Sequence, residues 1–321
     1  MPIPPGLPYH GRWNRYSSWL RARYGGPTAR VPVDGGFSCP NRRPDGSGGC
    51  SFCDSGGSRS PVLGSTGSVA EQADRAASFQ RARYGAEVLL LYFQAFTSTH
   101  APPDRLRELY DAALARAPFR GLIVATRPDC LDREKAGLLA SYRARGLDVW
   151  VELGLQSSND ATLARIRRGH GAADFTAARN LLRDLGIPVS AHVVFGLPGE
   201  AEADMLGTVR YLADLDIEGI KIHDLHIPFG CGLYREAREG ELVLLSPRRH
   251  LDLCVRALEL LPPDTVIQRL TTDTPEDRRA LPRRAIEKAG FLRNLDAEMD
   301  RRDTWQGRLY GAGGAGAATY I

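Results

Sequence analysis

The sequence predicts an α/β protein: a partial (β/α)6 barrel, TIM-like in its alternation, with a short C-terminal α/β extension. Three observations predict it. Short apolar runs alternate with helix-period segments through most of the chain, the pattern of parallel strands joined by right-handed helical crossovers. The 321 residues suit one barrel with short extensions, and a 43% apolar share can fill a large core. A cysteine-bearing loop follows the first predicted strand, at the end of a parallel barrel where chemistry collects. No fixed-period repeat accompanies the alternation.

Residues 1–10 are Pro-rich and read as a disordered lead, and the barrel core is expected over 11–230. From Gly11 to Arg23, Trp13, Tyr16 and Leu20 fall on one helical face with arginines around it. Such a helix can grip nucleic acid or simply cover one end of the barrel. Ala29 to Asp34 is a short strand, the cysteine loop follows, and Val69 to Tyr84 is a helix. The alternation then runs: strand Glu87 to Phe96, helix 103–117, strand 120–126, helix 132–145, strand 147–156, helices 159–168 and 172–185, strand 187–195, helix 201–214, strand 217–225. An extension over 231–307, expected to close the open side, carries a helix at Pro247 to Leu261, a strand at Thr265 to Leu270 and a helix from Leu281 to Met299. Residues 308–321 are expected to be a disordered Gly/Ala tail.

No apolar run is long enough to span a membrane and the N-terminus lacks a signal-peptide core, so no membrane association and a cytoplasmic location are expected. The net charge of +4 selects no partner class. Among basic residues only Lys135, Lys221 and Lys288 are lysines, a bias that a GC-rich coding sequence or phosphate recognition by arginine would each produce.

Chemistry concentrates in the loop from Gly35 to Cys53. Cys39, Cys50 and Cys53 lie within fifteen residues of Gly, Pro, Asn and Ser, a composition that forms no regular element. The Cys-x-x-Cys pair can present two thiolates to one centre and Cys39 can swing in as a third, which points to an iron-sulfur cluster with one iron left open. From the loop alone a Cys3His zinc site and a disulfide with a spare thiol remain open. Cys130 and Cys254 read as packing residues, and Cys231 as either packing or site-lining.

Strand periodicity places Trp150, Glu152, Gly154 and Gln156 inside the barrel, with Val149, Val151, Leu153 and Leu155 toward the helices. A buried acid is costly unless used. Tyr92 pairs with Gln94 in the same way, Ser190 with His192, and Lys221 with His223. Gly196, Pro198, Gly199 and Glu200 form a strand-to-helix turn, either a routine connector or a close approach to a flat ligand. Arg168 can bind a carboxylate or merely end a helix, and Arg127 can reach the barrel mouth.

Taken in order, Asp34 to Arg42, Gly48 to Cys53, Tyr92 to Thr99, Thr126 to Cys130, Glu152 to Gln156, Arg168 to His170, Gly196 to Glu200 and Gly219 to His223 resemble the radical S-adenosylmethionine (radical SAM) superfamily. Within it they resemble the YhcC-like branch related to the catalytic subunit of Elongator, from about Trp13 to Gly307. The resemblance implies a barrel of the radical SAM type, with a 4Fe-4S cluster on Cys39, Cys50 and Cys53 and S-adenosyl-L-methionine on its open iron. It implies reductive cleavage to a 5′-deoxyadenosyl radical that abstracts a substrate hydrogen. It further implies Gln94 and Thr97 near the methionyl amine, Glu152 or Gln156 at the ribose and Arg168 at the methionine carboxylate. Gly196, Pro198 and Gly199 would lie along the adenine, with His192 on the same cofactor-facing wall. Partners implied are a flavodoxin or ferredoxin-type electron donor and, as leading substrate, tRNA modified at its wobble uridine; the alternatives are a small-molecule or protein substrate, or a non-catalytic zinc protein that binds RNA. The N-terminal arginines with Arg278, Arg279, Arg283 and Arg284 are the expected RNA contacts. Two departures stand out: no Gly-Gly-Glu follows the second strand, and no acetyltransferase segment is present, so the acetyl-CoA reaction of Elongator is not implied.

Overall fold

The computed structural model describes residues 11–54, 56–57, 59–60, 67–272, 278–283 and 286–311. Its strands are β1 (Thr28–Val33), β2 (Val88–Phe93), β3 (Phe119–Thr126), β4 (Asp148–Gln156), β5 (Val189–Phe195), β6 (Gly219–Asp224), β7 (Ile227–Pro228), β8 (Val266–Arg269) and β9 (Arg279–Leu281). Its helices are α1 (Tyr16–Tyr24), α2 (Val69–Tyr84), α3 (Pro103–Leu114), α4 (Arg133–Ala144), α5 (Asp160–Arg165), α6 (Ala172–Asp184), α7 (Glu202–Asp214), α8 (Tyr234–Arg238), α9 (Pro247–Leu260) and α10 (Lys288–Arg301). Seven strands form one parallel sheet in the order β1-β2-β3-β4-β5-β6-β8, curled into a half-barrel. The lead 1–10, most of the Gly/Ala tail and Arg284 lie outside the described residues.

Local chemistry explains the helix starts. Ser68 and Glu71 form a reciprocal capping box on α2, and the side chains of Asp132, Asn159 and Ser246 accept backbone N–H groups at the starts of α4, α5 and α9. The crossovers place two apolar layers. Val149, Val151, Leu153 and Leu155 of β4 join the main core between sheet and helices. Trp150 instead joins Leu20, Leu90, Tyr92, Ile123 and Ala125 inside the barrel. The side-chain alternation expected for β4 is therefore observed.

Three expectations change. The predicted barrel has six strands; the observed sheet has seven, because β8 pairs in parallel with β6. The extension is thus continuous with the core, and a boundary at 230 divides one sheet. Without β8 the outer edge of β6 would leave a row of backbone groups unpaired. The last helix begins at Lys288 rather than Leu281, since Leu281 is extended in the β7–β9 pair and precedes Pro282, which disfavours helical backbone at the residue before it. The first residues of the expected tail, 308–311, are described, and Leu309 N–H donates to Glu259 O of α9 at 2.8 Å.

α1 covers the N-terminal end of the barrel. Trp19 packs edge-on against Trp150 with centroids 5.3 Å apart, and Arg15 bridges to Ile267 of β8. Among the described residues no helix is long and apolar enough to cross a membrane.

Candidate active site

The loop after β1 carries the three cysteines to the C-terminal ends of the strands. Arg42 N–H donates to Cys39 O at 2.9 Å, Cys53 N–H to Cys50 O at 3.0 Å and Ser51 N–H to Ile166 O at 2.9 Å, which ties the loop to the turn after α5. From the other side Leu233 N–H donates to Ser51 O at 2.9 Å. Gly232 permits this approach: a Cβ there would sit 3.1 Å from Ser51 Cα. Cys231 packs with Leu163, Ile166 and Leu233 behind the loop. Cys130 and Cys254 are buried, as expected of packing residues.

Nitrogen donors surround the sulfurs. Arg42 Nη2 lies 3.2 Å from Cys53 Sγ, and Asn41 Nδ2 and Arg168 Nη1 each lie 3.5 Å from Cys50 Sγ. Burial pushes the Cys53 thiol up to about 11 against the pull of Arg42, so its thiolate would form on binding metal. Among the described residues no three His, Cys, Asp or Glu side chains converge on a single metal ion. Three soft donors on one loop, with cationic and amide N–H groups aimed at the sulfurs, fit the thiolate ligation of an iron-sulfur cluster. Ser51 Oγ and Arg168 Nε are buried beside them with no partner among the described residues.

Arg168 also donates to Gly154 O at 2.7 Å, while its own carbonyl accepts from Arg127 Nη1 at 2.9 Å. The arginine thus joins the end of β4 to Cys50. A Cβ on Gly154 would meet Arg168 Nη2 at 2.5 Å and Gln156 Nε2 at 2.8 Å, so only glycine lets both side chains lie over the strand end. Gln156 adopts φ 77° where the β4–β5 register shifts; Phe96 (φ 53°) and Arg167 (φ 54°) are also left-handed near the loop. Non-glycine residues in this region are strained, and strain held by surrounding structure collects at functional sites.

Glu152 is 1% exposed and lies deeper in the barrel. Its Oε2 accepts from Lys221 Nζ at 2.5 Å, Tyr92 Oη at 2.6 Å and His192 Nε2 at 2.9 Å, and its Oε1 pairs with Arg30 at 3.1 Å. Burial alone would raise this carboxyl; Lys221, Arg30 and His192 outweigh it and hold it well below the usual carboxylate range. Burial and Lys221 drive His192 down to about 4, so its ring is neutral near pH 7. Three hydrogen bonds converge on Oε2, whereas Oε1 has the ion pair with Arg30 but no hydrogen bond; Gln156 lies at the strand end.

Thr97 is buried at the end of the second strand's loop and Gln94 is half-buried just past β2. At Gly196 a Cβ would meet Leu245 at 3.1 Å, whereas nothing lies within 4 Å of a Cβ on Gly199; Pro198 is buried between them. Glu200, pushed up to about 7 by burial, accepts from Ser157 Oγ at 2.5 Å. The structure therefore brings Arg168 to Cys50 at the end of β4, with Gln156 at the same strand end and Glu152 with His192 beneath, while Cys39 and Cys53 lie on the same loop and the turn from Gly196 to Gly199 follows β5. Sequence reading missed Arg30, Asn41 and Arg42. For Arg30 a signal existed: an arginine within an otherwise apolar strand must find a buried partner. A separate cleft of about 380 Å3, lined by Trp19, Asp148, Pro188 and Glu218 among others, opens at the opposite end of the strands, away from this chemistry.

A model of the radical SAM superfamily matches residues 39–212, and a model of the radical SAM C-terminal domain matches residues 217–301. Over 261 residues the chain is 38% identical to protein YhcC of Escherichia coli K12, covering 80% of this chain and 82% of that protein. Over 158 residues it is 29% identical to a tRNA uridine(34) acetyltransferase of Methanocaldococcus infernus, which is 48% of this chain but 29% of that protein. The solved structure of the archaeal Methanocaldococcus infernus Elp3 superposes with a TM-score of 0.67 at 19% identity, over 90% of this chain and 68% of that chain, a likeness of fold.

Proposed function

The chain belongs to the radical SAM superfamily, within its YhcC-like branch, and from that premise we propose that this enzyme modifies tRNA, with the wobble uridine as target and a flavodoxin or ferredoxin-type protein as electron donor. The cofactors of the superfamily are a 4Fe-4S cluster and S-adenosylmethionine. When bound they supply one-electron cleavage of a sulfonium and, through it, removal of a hydrogen atom from a substrate carbon. The observation that carries the cofactor assignment is the cysteine loop: Cys39, Cys50 and Cys53 would hold the cluster, and Arg42, Asn41 and Arg168 would stabilise charge on its sulfurs. Gln156, Arg168 and Gly199 would contact S-adenosylmethionine, with Gln94 and Thr97 near its amine. Glu152 would support that wall through His192 rather than touch the cofactor.

The tRNA reading is supported by the partial similarity to a tRNA uridine(34) acetyltransferase and by exposed arginines on loops that follow strand ends. Arg43 stands on the cysteine loop, Arg167 before α6, Arg235 and Arg238 on α8 and Arg283 after β9. Of the contacts expected from sequence, Arg283 is in this set and several others are paired within the protein. Arg12 is bound to Asp300 and Asp303, Arg15 to Asp296, Arg23 to Asp148 and Arg278 to Asp54, while Arg279 is buried. Phosphate binding by rim arginines would make tRNA affinity fall steeply with salt.

The test is anaerobic reconstitution with iron and sulfide, reduction in the presence of S-adenosylmethionine, and assay for 5′-deoxyadenosine with and without total tRNA. We expect the nucleoside in the wild type, its loss with the iron in Cys50→Ala, its retention in Cys130→Ser, and a new modified uridine in the tRNA. Nucleoside formation with unaltered tRNA would refute the substrate and leave the radical chemistry standing.

A further inference from the structure

Arg269 sits at the C-terminal end of β8 and is the register partner of Lys221 on β6. Lys221 points into the barrel, where it bonds Glu152 and Tyr92. Cross-strand partners in a parallel sheet share a face, so Arg269 points inward as well. Its charge lowers the basicity of His192, Lys221 and His223 alike, as a neighbour among them must. His223 lies two residues beyond Lys221 toward the mouth, its ring 5.5 Å from that of His192.

The other inward cations are accommodated. Arg30 reaches Glu152, Tyr16 and Gln268, and Lys221 reaches Glu152 and Tyr92. No hydrogen bond or ion pair links Arg269 or the His223 ring to any described residue, and both are only half-buried. Nearby acids are engaged elsewhere: Glu152 serves three cationic or imidazole groups, Asp224 accepts from Thr272 N–H at 2.5 Å, and Asp54 pairs with Arg278 at 3.5 Å. Among the described residues the inner wall thus holds Arg30, Lys221 and Arg269 against the one carboxylate of Glu152. A half-buried guanidinium without a counter-charge is open to an anion, and its planar fork matches an oxyanion.

We propose that Arg269, with His223 beside it, receives an oxyanion of the substrate, a phosphate or a carboxylate, at the barrel mouth. Its neighbour Gln268 accepts from Arg30 of β1 at 2.9 Å, and the cysteine loop follows that strand, so an anion held here would fix which substrate carbon is presented to the cofactor. This rests on the reading that the mouth takes the substrate. The 5′-deoxyadenosine assay tests that reading, while anion binding needs no turnover and tests the site alone.

The experiment uses reconstituted holoprotein titrated by calorimetry with inorganic phosphate and, in a parallel arm, acetate, at constant ionic strength. We expect saturable binding of at least one anion, weakened on the order of 10- to 100-fold in Arg269→Gln, partly kept in Arg269→Lys and unchanged in Arg120→Gln on the surface. The stronger arm identifies the group. Iron content and thermal melting check that the variants fold. Equal binding by wild type and Arg269→Gln, or none by wild type, would overturn the proposal. So would loss of S-adenosylmethionine affinity in Arg269→Gln with phosphate binding intact, which would place the arginine at the cofactor.

Discussion

Glu152 shows how strand parity alone can place a buried acid. Its strand parity placed it inside the barrel, and its four partners make it the counter-charge of the interior. Breaking a buried pair from one side leaves an uncompensated charge, which costs about 3–5 kcal/mol. Glu152→Gln should therefore lower unfolding free energy by that amount in denaturant titration, and Glu152→Gln with Lys221→Met should recover part of it. A loss no larger than that of a surface substitution would contradict the network. Glu200 makes the opposite pH statement. Its carboxyl is pushed from an ordinary 4.5 to about 7 by burial, so the folded state binds the extra proton between those values. Its contribution to stability consequently declines as pH rises from about 4.5 to about 7 and is constant above. Glu200→Gln should remove this decline, raising stability at pH 8 relative to pH 5 by on the order of 1–3 kcal/mol against wild type. Parallel pH profiles for the two proteins would refute the assignment.

At the scale of elements, the N-terminal segment and α10 act together. Trp13 donates to Asp296 at 2.9 Å, and fully buried Gln306 accepts from Asn14 N–H at 2.9 Å while donating to Pro262 O at 2.7 Å and Thr265 O at 2.9 Å. These bonds fasten Trp13 and Asn14, just before α1, to α10 and to the turn before β8. Removing the amide leaves several buried backbone groups unpaired, each at about 1–3 kcal/mol. Gln306→Ala should destabilise the protein by about 3 kcal/mol, with faster amide exchange in α1 and β8 than in β3 or β4. Uniform exchange rates would show that this latch is not local. Arg12, Arg15 and Arg23 of this region pair with Asp300 and Asp303, Asp296 and Asp148, so the helix covers the barrel end while these three arginines serve the fold.

For the whole molecule, the pairing of β8 with β6 joins core and extension in one sheet, from which we expect one cooperative unit. A chain ending at residue 230 retains β1 to β6 but loses β8, α9 and α10, exposing the edge of β6 and the apolar side of α7. It should aggregate or lack a cooperative thermal transition, whereas residues 11–311 should melt in one step. A soluble, cooperatively folding 11–230 fragment would show that the extension is a separate unit.

The order of strands and helices, the inward parity of β4 and the three cysteines were legible because periodicity and loop composition are local properties of the chain. Most element boundaries follow from caps a few residues away, as Ser68 and Glu71 show for α2. What the sequence by itself could not determine was which charged groups meet. Arg30 and Glu152 are separated by more than a hundred residues and Arg15 and Asp296 by almost three hundred, yet each pair becomes adjacent on folding. Pairing depends on sheet curvature and register, which sum interactions along the whole chain. The same tertiary closure added β8 as the seventh strand, paired Arg12, Arg15 and Arg23 with distant acids, and left Arg269 without an ion pair among the described residues. Local patterning therefore fixes the class of chemistry, and three-dimensional register decides which side chains are spent on the fold and which remain for a ligand.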